Sequence, residues 1–155
     1  MAKKQLPFGF DTAQESPGFL LWQTTMLWQR RIKKALEEYD ISHAQFVIMA
    51  TLLWFEAHEY DTTQIAIANW SKLDKMTISK SLEKLVAMGL VNRVEHAVDT
   101  RAKTVSLTTQ GKKLTHTLVP LVEGIDSNFF GVLSSAKQQS LIAILQTLIK
   151  DLHDD

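Results

Sequence analysis

The stretch Asp74-Lys-Met-Thr-Ile-Ser-Lys-Ser-Leu-Glu-Lys-Leu-Val-Ala-Met-Gly89 decides the fold, together with Leu90-Val-Asn-Arg-Val-Glu95 and, past the polar loop His96 to Lys103, Thr104-Val-Ser-Leu107. Asp74 is a residue type that caps helix N-termini and Gly89 one that closes C-termini, so the segment between them predicts one helix running to Met88. Two strand-like runs then flank a loop too long for a two-residue turn, which predicts a hairpin. Upstream, Thr62 or Thr63 caps a shorter helix from Gln64 to about Trp70, with Ile65 and Ile67 facing inward, and Ser71-Lys72-Leu73 makes a brief turn. Two short helices joined in this way have helix-turn-helix proportions. A helix-turn-helix running straight into a hairpin is a winged helix, so the expected fold class is mainly α with a small β-hairpin wing.

Residues 1–15 read as an irregular arm containing Pro7 and Gly9. Ser16-Pro17 is a cap followed by proline at the first helical position, where the missing N–H costs nothing, and helical spacing continues from Phe19 to Tyr39. Ser42 caps the next helix, His43 to Phe55, apolar on nearly every face and expected at the centre; Glu56 to Asp61 reads as a turn. Downstream, Thr108 caps a helix through Leu118, Val122, Phe129 and Val132, with Pro120 as the place for a kink. Ser135-Ala-Lys-Gln138 has the pattern of a capping box opening a last helix, whose Leu141, Ile144, Leu145, Leu148, Ile149 and Leu152 form a broad apolar stripe. The winged helix already has its own core, so these flanking faces need another partner, and a second copy of the chain is the economical one. The expected division is an arm and first dimerisation helix over 1–40, a DNA-binding winged helix over 41–108, and C-terminal dimerisation helices over 109–155.

At 155 residues and 45% hydrophobic composition the chain has the size of one domain or a closely coupled pair. Its 17 basic and 17 acidic residues cancel, yet Ser71 to Lys113 holds nine of the former and four of the latter, a net +5 against −5 elsewhere. A basic centre suits a polyanion. The absence of cysteine excludes thiol redox sensing, thiol nucleophiles, iron–sulfur clusters and Cys-ligated zinc. The five histidines include no pair at i, i+4, so no metal or cofactor is expected, although spacing leaves open whether His43 and His116 approach each other. No nucleophile elbow, phosphate loop or dinucleotide fingerprint occurs, and no enzyme is expected. With no apolar run near the roughly 18 residues of a membrane span, and no apolar core behind the basic N-terminus, the expected location is the cytoplasm.

On a wheel of the Asp74–Gly89 helix, Ile78, Leu82, Leu85 and Val86 share the core-facing arc, while Met76, Thr77, Lys80, Glu83 and Lys84 lie opposite and Ser79 lies at the border. That face suits a major groove: Lys80 and Lys84 offer ammonium groups to guanine or phosphate, Thr77 and Ser79 can bond either, and Met76 can meet a thymine methyl. In the hairpin loop, Arg101 and Lys103 are candidate contacts, Arg101 as a guanidinium for a narrow minor groove and Asp99 as both turn former and partner orienting an arginine.

The run Leu73 to Arg93, followed by Asp99-Thr-Arg101 and then Leu107-Thr-Thr-Gln-Gly111, resembles the MarR family of bacterial transcription regulators. The family's wing signature, Asp-x-Arg and a short strand ending Leu-Thr-x-x-Gly, is matched by Asp99, Arg101, Leu107, Thr108 and Gly111. The resemblance extends from about Ser16 to the end of the chain. Ala87-Met88 departs from it, since charged residues are usual before the glycine. The resemblance implies a homodimer joined through its terminal helices, binding double-stranded DNA at a pseudo-palindrome, most often as a repressor released by a ligand. Thr77, Ser79 and Lys80 take the recognition-helix positions and Arg101 the wing position. It also implies a groove between dimerisation helices and winged helix for a small aromatic or anionic effector, with Trp22, Met26 and Trp54 as candidate lining. The alternative is a winged helix used as a protein-interaction module, against which Lys80, Lys84, Arg101 and Lys103 weigh.

Overall fold

The computed structural model of the protein describes residues 6–95 and 103–152, with the side chains of Glu95 and Lys103 left out. Within the arm, Ala13–Glu15 forms one 3-10 turn, because the Glu15 carboxylate accepts the Asp11 and Thr12 amides at 3.0 and 3.2 Å. Helix α1 (Pro17–Glu37) starts where Ser16 Oγ accepts the Phe19 amide, with proline in the first turn. Helix α2 (His43–Ala57) opens on a reciprocal box: Ser42 Oγ accepts from Gln45 N at 3.1 Å and Gln45 Oε1 accepts from Ser42 N at 2.9 Å. It carries Glu56 and Ala57, which the sequence placed in a turn.

Helix α3 (Gln64–Ser71) is capped by Thr63, and α4 (Lys75–Ala87) by Asp74 after a turn in which Lys72 adopts a left-handed φ of 62°. Ile67 is fully buried, whereas Ile65 is 56% exposed. Two residues apart on a helix point about 200° from each other, so both could not face one core. Val86 is likewise exposed rather than inward, leaving Ile78, Leu82 and Leu85 with Ser81 as the buried side of α4. Gly89, at φ 73°, closes the helix as expected.

Strands β1 (Val91–Glu95) and β2 (Lys103–Leu107) pair antiparallel with Val91 opposite Leu107 and Arg93 opposite Val105. The far edge of β2 is also covered: Val105 N donates to Thr62 O at 2.9 Å, and Thr63 bridges Thr104. The hairpin is thereby fastened to the entrance of α3.

Helix α5 (Thr109–Phe130) continues through Pro120, and α6 (Ser135–Asp151) follows. The α6 cap is Ser134, one residue earlier than the expected box, with its Oγ accepting from Lys137 N at 3.2 Å. One core joins Ile32 and Leu36 of α1, Ile48, Met49 and Leu52 of α2, Ile67, Ile78, Leu82 and Leu85, Val105 of the wing, and Leu118 and Val122 of α5. Trp28 Nε1 donates to Asp126 Oδ1 at 2.7 Å, fastening α1 to α5. Helix α6 buries none of its residues: Ile142, Ile144, Leu148 and Ile149 are all exposed, as is Leu152 at its C-terminal cap.

Candidate nucleic-acid interface and ligand groove

The N-terminal half of α4 presents Met76, 68% exposed, and Lys80 to solvent, with Thr77 and Ser79 half-buried beside them. Asp74 organises this end. Its Oδ1 accepts the Thr77 amide at 2.8 Å, and its Oδ2 accepts the Thr77 hydroxyl at 2.7 Å. The side-chain hydrogen bond from Thr77, followed by the backbone amides, holds the Asp74 carboxyl below the usual carboxylate range. Thr77 therefore spends its hydroxyl proton on the cap and retains only acceptor capacity outward.

Of the wing candidates, Asp99 and Arg101 lie outside the described residues, and Lys103 is placed by its backbone alone, opposite Glu95. The base of the wing is held by a residue that the sequence reading passed over. Glu56 Oε1 accepts the Leu107 amide at 3.0 Å while Oε2 meets Lys112 Nζ at 3.5 Å. One carboxylate on α2 thus ties the end of β2 to the first turn of α5. Nothing in its spacing marks it, since its partners stand 51 and 56 positions away.

A groove of about 890 Å³ opens between α1 and the winged helix. Met26, Gln29, Arg30, Lys33 and Glu37 line it from α1, Asp40, Ile41 and the cap Ser42 from the α1–α2 turn, His43 and Gln45 from α2, and Lys84 and Ala87 with the cap Met88 from the end of α4. Of the three residues expected around an effector, Met26 lines this groove, and Trp22 and Trp54 do not. Trp54 lies eleven residues beyond His43 on α2, about 16 Å along the axis at 1.5 Å per residue, and stacks on His58 at 4.1 Å. Trp22 is 61% exposed near the start of α1, one turn before Met26. Lys84, expected on DNA, lines the groove, two helical turns beyond Met76.

His43 is half-buried, with the Trp28 ring edge-on at 5.3 Å. Burial lowers its pKa from the ordinary histidine value, an effect that the Asp126 carboxylate partly opposes. His116 is exposed on α5. No group of three or more His, Asp or Glu side chains able to hold a metal occurs among the described residues, and no described helix is long and apolar enough to cross a membrane.

Residues 37–123 match the ArnR1-like winged-helix domain family. The chain is 36% identical over 141 residues to YdcH of Bacillus subtilis, an HTH-type transcriptional regulator, covering 91% of this chain and 95% of the relative. BpsR of Bordetella bronchiseptica, whose DNA binding is regulated by 6-hydroxynicotinic acid, has a similar fold at 23% identity and TM-score 0.79, covering 92% and 97% of the two chains. So has an Escherichia coli MarR variant complexed with operator DNA, at 22% identity and TM-score 0.74, covering 85% and 92%.

Proposed function

Because the chain belongs to the MarR family of winged-helix transcription regulators and carries an ArnR1-like domain, we propose that it acts as a homodimeric repressor whose hold on a pseudo-palindromic operator is loosened by a small ligand. Transcription regulation through DNA binding is its function. The dimer, the contacts and the ligand are the parts proposed. The observation that carries the dimer is α6, which leaves Ile142, Ile144, Leu148 and Ile149 uncovered by its own chain. Such a stripe, with Phe19, Leu21 and Trp22 exposed on α1, is the surface a second copy buries when terminal helices pair. The division at about residues 40 and 108 follows, with the reading module between two dimerising flanks.

In this arrangement Met76, Ser79 and Lys80 enter the major groove, with Thr77 as an acceptor only. Arg101, oriented by Asp99, reaches the minor groove, and Lys103 meets phosphate. The regulator works in the cytoplasm and performs no catalysis. The effector is a small aromatic carboxylate in the α1–α4 groove, whose volume suits a small ligand and whose lining sets Arg30, Lys33 and Lys84 against Glu37 and Asp40, with Met26 as an apolar contact. The regulation of BpsR by an aromatic acid supports that class.

Selecting bound fragments from random DNA with the full chain tests the reading. The expected product is a two-fold-related site with half-site centres about 10 base pairs apart, bound with a log–log salt slope near −0.9 per neutralised phosphate. An asymmetric single half-site, or binding indifferent to salt, would overturn it.

A further inference from the structure

We propose that Glu56 is a positioning residue for DNA recognition: without touching DNA, it sets the angle at which the wing leaves the body of the protein. The inference rests on the reading above that the wing reaches DNA, and concerns what aims it. In the two-stranded hairpin the amides of Val105 and Leu107 lie on the outer edge of β2, away from β1. A third strand would ordinarily take them. Here Thr62 O accepts the first at 2.9 Å and Glu56 Oε1 the second at 3.0 Å. Leu107 is buried, so its amide depends on a protein acceptor.

The second oxygen of Glu56 is used as well. Its Oε2 meets Lys112 Nζ at 3.5 Å, with the Glu56 side chain mostly buried and that of Lys112 half-exposed. Lys112 stands in the first turn of α5, where the helix dipole disfavours a cation, and the carboxylate offsets that. Glu56 thus joins the last turn of α2, the end of β2 and the start of α5 in one contact. From Leu107 to Lys103 the strand runs about 13 Å at roughly 3.3 Å per residue, so a tilt of about 10° at its base moves the far end by about 2 Å. A minor groove is about 6 Å wide, and a shift of about a third of that width misplaces a guanidinium. The sign of the effect separates this role from a general electrostatic one. Deleting a carboxylate from a protein that binds a polyanion tightens binding by charge alone, whereas loss of aim loosens it.

The test uses the full-length protein, operator fragments selected with it from random DNA, and circular dichroism to establish that each variant is folded at the binding temperature. Glu56→Ala should bind on the order of tenfold more weakly and lose the preference for A·T at flanking positions, with base preference inside the half-sites unchanged. Glu56→Gln, whose amide oxygen can still accept from Leu107 N, should stay within about threefold of the unaltered protein. In an Arg101→Ala background, Glu56→Ala should cost nothing further, because both act through the wing. Equal or tighter binding by folded Glu56→Ala, or a further loss of about tenfold on top of Arg101→Ala, overturns the proposal while the wing keeps its contact. If Arg101→Ala alone binds with full affinity, the wing reading falls and this proposal with it. Should Glu56→Ala fail to fold, Glu56→Asp gives the same readout, since it keeps the charge but ends one methylene short of Leu107. A flattened flanking preference in Glu56→Asp supports the proposal, and an unchanged one overturns it.

Discussion

The Thr108 hydroxyl donates to the Gly89 carbonyl at 2.7 Å and accepts the Gly111 amide at 2.9 Å. One side chain therefore ends the wing, caps α5 and holds the residue that closes α4. The Thr108 amide completes the knot by donating to Leu90 O at 3.0 Å. Gly111 is required by the same geometry, since a Cβ there would overlap the Leu90 carbonyl. The Leu-Thr-x-x-Gly run is thus the fastening between α4, the wing hairpin and α5.

Breaking that fastening should be measurable as stability. Thr108→Ala removes a cap worth about 1 kcal/mol together with the Gly89 bond, and Thr108→Ser should restore most of the loss. Gly111→Ala should cost about 1–3 kcal/mol through overpacking against backbone. Urea unfolding of the three variants checks both; an unaffected Gly111→Ala would mean that α5 shifts freely away from Leu90.

DNA readout should divide between helix and wing. Lys80→Ala should change base preference within each half-site by about 1–3 kcal/mol if its ammonium meets a base edge, and weaken every sequence equally if it meets phosphate. Arg101→Ala should flatten the preference for A·T at flanking positions. Binding-site selection repeated on each variant separates these outcomes, and full affinity in Arg101→Ala would remove the wing from recognition.

Dimerisation should fail when a charge enters the α6 stripe. Leu148 is 48% exposed within one chain, so Leu148→Glu can be tolerated by the monomer but not by a buried seam. Sedimentation should show monomers, and operator affinity should drop because two half-sites are no longer bound together. A Leu148→Glu dimer would place the seam elsewhere.

His43 should make stability depend on pH in one direction. Burial lowers its pKa in the folded state, so the unfolded chain takes up the proton more readily. Its contribution is complete above the unfolded value of about 6.5 and is lost as pH falls from there towards the lower folded value. Asp126 opposes the shift, so Asp126→Asn should steepen the loss while His43→Gln should remove this part of it. Unfolding measured at pH 7.5 and at pH 5.5 gives the comparison. A slope unchanged in His43→Gln would assign it to the other titrating groups.

Local chemistry was readable along much of the chain. Ser16, Ser42, Asp74 and Thr108 cap the helices expected of them, because a capping side chain answers amides only two or three residues away. At α6 the same rule slipped by one residue, since adjacent Ser134 and Ser135 offer identical hydroxyls and only the backbone path selects the first.

By itself, then, the sequence determined the order of helices and hairpin, the outward Met76–Lys80 face and the family, all of which follow from periodicity, short-range hydrogen bonds and a local motif. Tertiary structure decided what stands opposite each face. The wheel put Lys84 beside Lys80 and Thr77, and only the approach of α1 makes it a groove residue. Trp54 looked like groove lining until α2 carried it to the other end of the helix, against His58. Glu56 looked like part of a turn until folding brought Leu107 and Lys112 to its two oxygens. A helical period gives a side chain its direction but not its neighbour, and the neighbour is set by how distant segments pack around one core.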